Sequence, residues 1–395
     1  MSFIEHSPFF KDEHRRLSAS VASFAWREIE PRATLAEEPG AADVQLREMV
    51  QLLAQADLLR YAVPAAEEPL DLRSLCIVRE ELAYASPLAD LAFVMQGLGT
   101  YPIREAAPPH VRDFWLSKAA AGKAIAAFAL TEPEAGSDVA NLRTTATRDG
   151  DSYVLNGTKR FISNAGVADF YTVFARTGER ADGNAEISAF VVGARVPGLT
   201  VSERLEMIAP HPIGELRFEN VRVHGEDRLG GEGAGYRLAI QTLNFFRASV
   251  GAAGCGMARR ALDESLAYAR QRAQFGAPLA RHQLVQEKLA EMSTALDAAR
   301  LLVYHAAHLR DLSRTEAGAE VQLATLTRAA SEAKLFATEA AGRIIDEAVQ
   351  IHGGAGLIRG ATVERLYRDV RALRIYEGTS EIQKLVIARE LLREG

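Results

Sequence analysis

The sequence predicts an α+β chain of three domains, with helical domains at its two ends and a β domain between them. Near the start, apolar residues recur at the spacing of one helix face, at Leu46, Met49, Val50 and Leu53. From about residue 126, short β-branched and aromatic runs alternate with glycine turns. Long helical patterns then return near residue 236. We therefore expect a helical domain over 1–125, a β domain over 126–235 and a helical bundle over 236–395.

Composition excludes several classes of protein. The chain has 395 residues, too many for one ordinary core, with 48% hydrophobic and 25% charged residues. A net charge of −6 argues against a nucleic-acid binder. The two cysteines, Cys76 and Cys255, do not suggest a disulfide framework. No signal peptide or membrane-spanning run is evident, so we expect a cytoplasmic protein that does not bind membranes.

The central domain contains hairpin and strand signals. Asp149-Gly150-Asp151 lies between two strand-like runs and predicts a hairpin, and Asn156-Gly157 predicts a second one. Further strands are expected at 170–176, 187–192 and 216–223. This pattern is typical of a small β-barrel or sandwich.

The last domain carries a heptad pattern. Apolar residues alternate steps of four and three at Val285, Leu289, Met292, Leu296, Ala299, Val303 and Ala306. Such a seam indicates a helix bundle, and a polar break at 310–319 separates two long helices.

The segment from Tyr376 to Glu381 is the strongest candidate for chemistry. Ser380, followed three residues later by Gln383, fits a capping box at a helix start. Glu377 then lies just before that helix, on a turn that Gly378 can tighten. A carboxylate on a rigid turn is a candidate general base, although a solvated or capping glutamate would show the same pattern.

The stretch 375–383 resembles the catalytic segment of the acyl-CoA dehydrogenases, FAD enzymes that desaturate acyl thioesters, and the resemblance extends over almost the whole chain. It implies the family's α, β, α order with a C-terminal four-helix bundle. It also implies that Glu377 removes the α-proton of an acyl-CoA while the β-hydrogen leaves as hydride to flavin N5, giving the trans-2-enoyl-CoA.

The segment 128–138 closes a strand and enters a loop. Gly136 permits close backbone approach, although the string also reads as an acidic turn. It resembles the family's first signature. The resemblance implies that Phe128, Leu130, Thr131, Gly136 and Ser137 line the flavin, with Ser137 between flavin and thioester.

Phe161-Ile162-Ser163 follows on a strand, where an aromatic residue is ordinarily part of the core. The segment resembles the Trp-Ile-Thr or Trp-Ile-Ser of the family. By that resemblance the Phe161 ring packs on one face of the flavin, and the Ser163 hydroxyl bonds the reactive end of the flavin ring.

Two further segments resemble the parts of the family that bind the FAD diphosphate and adenosine from a neighbouring subunit. Without the resemblance, the first is a solvated helix end and the second a glycine C-cap. The residues implied are Arg272, Phe275, His282, Gln283, Gln350, Gly353 and Gly354, joined near the base by Thr379 and Glu381. The resemblance therefore implies a homotetramer, built as a dimer of dimers.

The resemblance also implies an acyl-CoA site formed by Ser137, Asn244, Arg247, Gly378 and Arg389. Some relatives place the base immediately before the arginine that matches Arg247. Here that residue is Phe246, which cannot accept a proton, so Glu377 is the one matched candidate. The loop 205–218 departs from the family, with two prolines, and Phe245 and Phe246 replace smaller or polar residues. We expect a bias away from very long straight acyl chains.

Several alternatives stay open. Flavin monooxygenases and oxidases share this fold, and the thioester could be carried by an acyl carrier protein. A non-catalytic flavin protein would be a binding module, which the acidic charge disfavours. The family implies electron-transfer flavoprotein as partner and a place in fatty acid metabolism. His305 and His308 lack a third residue at metal spacing, so no metal is expected.

Overall fold

A computed structural model describes residues 3–34, 40–179, 183 and 185–393. The chain forms two compact units whose segments interleave along the sequence. The first, called here the helical unit, comprises Met1–Thr34, Asp71–Asp90 and Asn244–Gly395. The second, the sheet unit, comprises Leu35–Leu70 and Leu91–Leu243. Along the sequence, helices come first, strands follow and helices return, which confirms the predicted order of structure.

The first third of the chain is helical. Its helices are α1 Phe3–His6, α2 Asp12–Phe24, α3 Ala41–Gln55, α4 Leu72–Ala85, α5 Pro87–Ala106 and α6 Pro109–Ala120. The predicted apolar face of α3 is fully buried at Leu46, Met49, Val50 and Leu53. Asp71 caps α4, because its side chain accepts hydrogen bonds from the backbone N–H groups of Arg73 and Ser74.

The sheet unit contains one eight-stranded sheet. Its strands are β1 Ala126–Ala129, β2 Thr145–Asp149, β3 Ser152–Ser163, β4 Phe170–Glu179, β5 Ala185–Gly193, β6 Leu199–Arg204, β7 Ile213–His224 and β8 Arg228–Leu229. The strand order is β6-β7-β3-β2-β4-β5-β8, and β1 pairs with β4 in parallel. The apolar core against this sheet includes Phe170, Phe174, Ile187 and Leu229.

One of the two predicted hairpins is present. Asp149 pairs with Ser152 across a tight turn in which Gly150 has a φ of +64°. The second prediction is wrong, because β3 runs unbroken through Asn156-Gly157, and the pairing register with β7 shifts there. The glycine forms a bulge instead, with a φ of +146°, where an added Cβ would lie 2.7 Å from the Cα of Thr144.

The helices of the last third are α7 Gly235–Gln271, α8 Gln283–Leu312, α9 Leu323–His352, α10 Thr362–Val370 and α11 Ser380–Arg393. Within the helical unit α9 packs against α8, α10 and α11. The predicted seam of α8 is buried from Met292 to Ala306, whereas Val285 and Leu289 are only half-buried. Among the residues placed by the structure, no helix has the length and apolar character needed to cross a bilayer.

Candidate active site

Glu377 lies on a left-handed turn just before α11. Its φ is +52° and that of Gly378 is +90°. Such a conformation costs a non-glycine residue about 1–3 kcal/mol and persists only when surrounding contacts hold it. The hydroxyl that caps α11 is that of Thr379, which accepts from the N–H of Ile382 at 3.3 Å. The capping box predicted on Ser380 is therefore wrong by one residue: Ser380 is already helical, and its Oγ donates to Glu339 Oε1 at 2.6 Å.

Two buried side chains hold this turn through one carbonyl. The oxygen of Gly378 accepts from Lys334 Nζ at 2.6 Å and from Gln383 Nε2 at 2.9 Å. Lys334, on α9, is 1% exposed, and Gln383, on α11, is fully buried. A Cβ on Gly378 would lie 2.6 Å from Gln383 Nε2, so both the conformation and the space require glycine here.

The carboxylate of Glu377 is shielded from water. Its Oε2 is buried and has no hydrogen-bond partner within the described part of the chain. Burial raises the pKa of Glu377 above its ordinary value, while the positive charges of Arg79, Lys334 and Arg247 oppose that rise. A desolvated carboxylate with an elevated pKa accepts a carbon-bound proton better than a solvated one.

The cations around Glu377 are themselves buried. Burial lowers the pKa of Lys334 to about 8 and that of Arg247 to about 10, and in both cases the negative charge of Glu377 opposes the fall. Arg247 donates to Asn244 Oδ1 at 2.6 Å and to Ser331 Oγ at 3.3 Å. Its Nε is buried without a partner among the residues that the structure places.

A second buried ion pair adjoins this group. Arg79, fully buried on α4, donates to both carboxylate oxygens of Asp90 at 2.8 Å and to Ser249 Oγ at 2.8 Å. The positive charge of Arg79 lowers the pKa of Glu377 more than any other charge does. The sequence analysis missed Arg79, Asp90 and Lys334. The sequence did contain a signal for them, because each is a charged residue on a mostly apolar helix face. A charge buried on such a face needs a partner, which marks the residue for attention.

The predicted acyl-CoA residues of the helical unit fall into two groups. Asn244, Arg247 and Gly378 lie in or beside the network around Glu377. Arg389 is exposed and pairs with Glu390, although its charge still lowers the pKa of Arg247. Phe246 is fully buried.

In the sheet unit, a buried ion pair fixes the loop after β1. Lys159 Nζ donates to Glu132 Oε1 at 2.7 Å and to the carbonyl oxygen of Leu130 at 3.0 Å. Glu132 also accepts from the backbone N–H groups of Arg143 and Thr144. Thr131 is tied to β3, because its carbonyl accepts from the N–H of Arg160 at 2.9 Å. The sequence pattern allowed an acidic turn as the alternative to a flavin-lining segment, and it did not predict this ion pair.

Phe161 points out of the core. It lies where the β3–β7 register shifts between Lys159 and Ile162, it has a φ of +55°, and it is 53% exposed. A bulge of this kind re-aims a side chain, and here it presents an aromatic ring to the surface. Two residues on, the half-buried Ser163 places its Oγ 2.8 Å from His211 Nε2.

The other predicted flavin residues of this unit lie in ordinary packing or loop environments. Phe128 is half-buried against Phe174, with ring centroids 4.9 Å apart. Gly136 and Ser137 lie on an exposed loop. A Cβ at Gly136 would meet no described atom within 4 Å, so the fold itself does not require glycine there.

The residues predicted for the diphosphate lie at two adjoining helix ends of the helical unit. Tyr268, in the last turn of α7, stacks on His352 at the end of α9 with centroids 4.4 Å apart. These ends carry the exposed residues Arg272, Phe275, Gln283, Gln350, Gly353 and Gly354. His282 is half-buried, with its Nε2 3.1 Å from the carbonyl oxygen of Gln274.

These helix ends are remote from Glu377. Ser380 contacts α9 at Glu339, and the rise of a helix puts His352 about 20 Å further along. Thr379 and the exposed Glu381 belong to the Glu377 turn. The helical unit therefore gathers its predicted residues in two separate places.

The donor set of the sheet unit fits a flat aromatic ligand such as a flavin. It offers an exposed aromatic ring at Phe161 and hydroxyls at Thr131, Ser137 and Ser163, without a cluster of hard metal ligands. Across the described ranges, no group of three His, Cys, Asp or Glu side chains could hold a metal ion.

Three domain models of one protein family match successive segments of the chain. Residues 11–123 match the N-terminal domain of acyl-CoA dehydrogenase, residues 127–221 the middle domain and residues 233–392 the C-terminal domain. The chain is 38% identical to a 3-(aryl)acrylate reductase of Clostridium sporogenes, over 98% of this chain and 100% of that protein. It is 35% identical to a cyclohexane-1-carbonyl-CoA dehydrogenase of Geobacter metallireducens, over 97% and 98%.

Among solved structures, the fold resembles an acyl-CoA dehydrogenase of Bacillus anthracis complexed with FAD. The TM-score is 0.88 at 32% identity, covering 98% of this chain and 68% of that one. Together with three matching domains in the expected order, these likenesses show that the chain belongs to the acyl-CoA dehydrogenase family of oxidoreductases.

Proposed function

We propose that the protein is an FAD-dependent dehydrogenase that converts an acyl-CoA thioester to its trans-2-enoyl-CoA, with Glu377 as the base. One observation carries the assignment: Glu377 is held on a strained turn, with three cations around it and a buried carboxylate oxygen that has no hydrogen-bond partner among the residues described. The α-proton of a thioester is weakly acidic, so its removal needs a positioned base of this kind.

The three cations act both before and after the proton transfer. Before it, the positive charges of Arg79, Lys334 and Arg247 oppose the rise in the pKa of Glu377 that burial causes, and so favour its ionised form. After it, Glu377 is neutral, and the same positive charges favour negative charge that develops on the thioester oxygen. The bound FAD would supply the acceptor for the β-hydrogen.

Each unit contains residues that we propose as FAD ligands. Phe161 would lie against one face of the ring system, and Leu130, Thr131 and Ser163 would line it. Arg272 and the glycine turn after α9 would serve a diphosphate, since a guanidinium fork and open backbone amides suit phosphate oxygens.

We further propose a homotetramer. The helix ends proposed for the diphosphate carry exposed apolar side chains: Phe275 is 97% exposed, Leu284 75%, Leu357 74% and Ile358 64%. Apolar surface of this density marks an interface. The separation of these ends from Glu377 supports a flavin held by residues of two subunits.

The proposed substrate carries a short, branched or cyclic acyl group. The relative named for cyclohexane-1-carbonyl-CoA supports this proposal, as do the two buried rings at Phe245 and Phe246. Electron-transfer flavoprotein is the proposed acceptor, in a cytoplasmic enzyme of fatty acid metabolism. A carrier-protein thioester and oxygen chemistry remain the alternatives. One relative is named as a 3-(aryl)acrylate reductase, so catalysis in the reducing direction is a third alternative.

The test is product analysis. Purified protein is incubated with butyryl-, cyclohexanecarbonyl- and palmitoyl-CoA and an artificial electron acceptor, and the thioesters are weighed by mass spectrometry. The proposal requires the loss of two hydrogens from a short or cyclic substrate, faster than from palmitoyl-CoA. An oxygenated product, or turnover only of carrier-protein thioesters, would replace it with one of the alternatives.

A further inference from the structure

His211 is fixed against the end of β3 in the sheet unit. Its Nε2 lies 2.8 Å from Ser163 Oγ. The next residue, Pro212, accepts a backbone hydrogen bond from Asn164 at 2.7 Å, and Ile213 pairs with Ser163 in the β3–β7 ladder. Prolines on both sides of His211 restrict its backbone, so the imidazole is held beside the hydroxyl before any ligand binds.

The imidazole is neutral at physiological pH. Burial lowers the pKa of His211 to about 4. A neutral imidazole has one nitrogen that donates and one that accepts, and a hydroxyl can do both. The contact therefore has two forms. Nε2–H can donate to Ser163, which leaves the hydroxyl hydrogen free for an outside acceptor. Alternatively, Ser163 can donate to Nε2, which leaves its oxygen free for an outside donor.

We propose that His211 is a positioning residue that lets Ser163 reverse the direction of its hydrogen bond to the bound flavin. The inference rests on the proposed function, in which Ser163 lines the flavin, and it takes the flavin atom nearest to Ser163 to be N5, which receives the hydride. That nitrogen accepts a hydrogen bond when the flavin is oxidised and carries a hydrogen when it is reduced. The exchange of the imidazole between its two tautomers would satisfy Ser163 in both redox states, so His211 would bear on the flavin's reduction potential and on the rate of its reduction.

The partner is identified by chemistry. A ligand atom that alternates between acceptor and donor needs a protein group that can do the same. A serine beside only a backbone carbonyl can do so, but it gives up its hydrogen bond to that carbonyl whenever it donates to the ligand. His211 lies in the loop 205–218, where the sequence departs from the family. This loop thus places next to Ser163 a second group, the imidazole of His211, that can either donate or accept a hydrogen bond.

The experiment compares His211→Phe, Ser163→Ala and the double variant with the wild type, with His211→Gln as the conservative change. His224→Phe, on an exposed residue at the far end of β7, is the control. Flavin content, the midpoint reduction potential under a chemical reductant, and the rate of anaerobic bleaching by acyl-CoA are measured. The potential needs no substrate, so it reports on His211 even if no acyl-CoA is oxidised.

We expect His211→Phe to retain flavin, to shift the midpoint potential and to slow bleaching about tenfold, the worth of one good hydrogen bond. His211→Gln recovers part of both losses, because an amide can still donate or accept. The double variant is no worse than Ser163→Ala, because His211 has no hydroxyl left to position once Ser163 is alanine. A wild-type potential in His211→Phe, or additive losses in the double variant, would overturn the inference. Wild-type protein that holds flavin yet bleaches with no thioester would count against the proposed function alone, and protein without flavin against both.

Discussion

The ammonium of Lys334 donates to the carbonyl oxygen of Gly378 at 2.6 Å, one residue beyond the carboxylate of Glu377. The buried ammonium of Lys334 thus holds the conformation of the turn and also lowers the pKa of Glu377, which lies on that turn. Gln383 shares the same carbonyl, so the strained conformation has two independent supports.

Replacing Lys334 by methionine should move the acid limb of the pH–rate profile upward. The positive charge of Lys334 opposes the rise in the pKa of Glu377 that burial causes, so its loss lets that pKa rise further. Since the base must be ionised, the rate should begin to fall at a higher pH as the solution is acidified. Lys334→Arg keeps the charge and should retain a nearly normal limb. A profile for the methionine variant that coincides with the wild type would refute the electrostatic role.

In the wild type, the acid limb itself should lie above the ordinary range of a glutamate, about 4.3. Burial raises the pKa of Glu377, so its proton is lost only at higher pH than in a solvated side chain. The profile of the bleaching rate, measured on protein whose far-UV spectrum shows it to be folded throughout, gives this value. A limb at or below about 4.3 would mean that Glu377 is not the group that titrates.

Gly378→Ala should destabilise the protein by about 1–3 kcal/mol and reduce turnover. The added methyl group would sit 2.6 Å from Gln383 Nε2 at a φ of +90°. Gly231→Ala is the matched control, because it adds the same methyl group outside the left-handed region, where no described atom lies within 4 Å. Thermal unfolding of the two variants measures the difference. Equal melting temperatures would show that the turn tolerates a side chain.

Lys159→Met should cost about 3–5 kcal/mol of unfolding free energy, because it leaves the carboxylate of Glu132 buried without its partner. Lys159→Met combined with Glu132→Gln removes both charges and should recover part of that loss. Denaturant unfolding measures both. A double variant less stable than the single one would show that the hydrogen bonds of Glu132 to Arg143 and Thr144 matter more than the ion pair.

The sequence predicted the regular parts of the fold because their signals are local. The α3 face and most of the α8 seam are read directly from the spacing of apolar residues, and the Gly150 turn from its flanking strands. Asn156-Gly157 misled because the same dipeptide suits a bulge as well as a hairpin. Ser380 misled because its neighbour Thr379 can cap equally well, and only the backbone shows which one does.

The remaining features depend on residues far apart in the chain. Lys159 contacts Glu132, which is 27 residues away in the sequence, and Lys334 contacts Gly378, which is 44 residues away. No local pattern encodes such pairs, although each charged side chain on an apolar face implies an unseen partner. The family could be inferred from its motifs, whereas the contacts that tune Glu377 required the fold.

Glu377→Gln should bind flavin normally and lose about 10²- to 10⁴-fold in the rate of acyl-CoA oxidation, because the amide cannot accept the α-proton. Glu13→Gln, an exposed change on α2, is the control and should be indistinguishable from the wild type.

The most direct test is the visible spectrum of this pair of proteins under anaerobic conditions as a panel of acyl-CoAs is added. The account predicts that at least one short or cyclic member bleaches the flavin band of the wild type, while Glu377→Gln keeps its band on the same time scale. A Glu377→Gln protein that bleaches as fast as the wild type would contradict the assignment of the base.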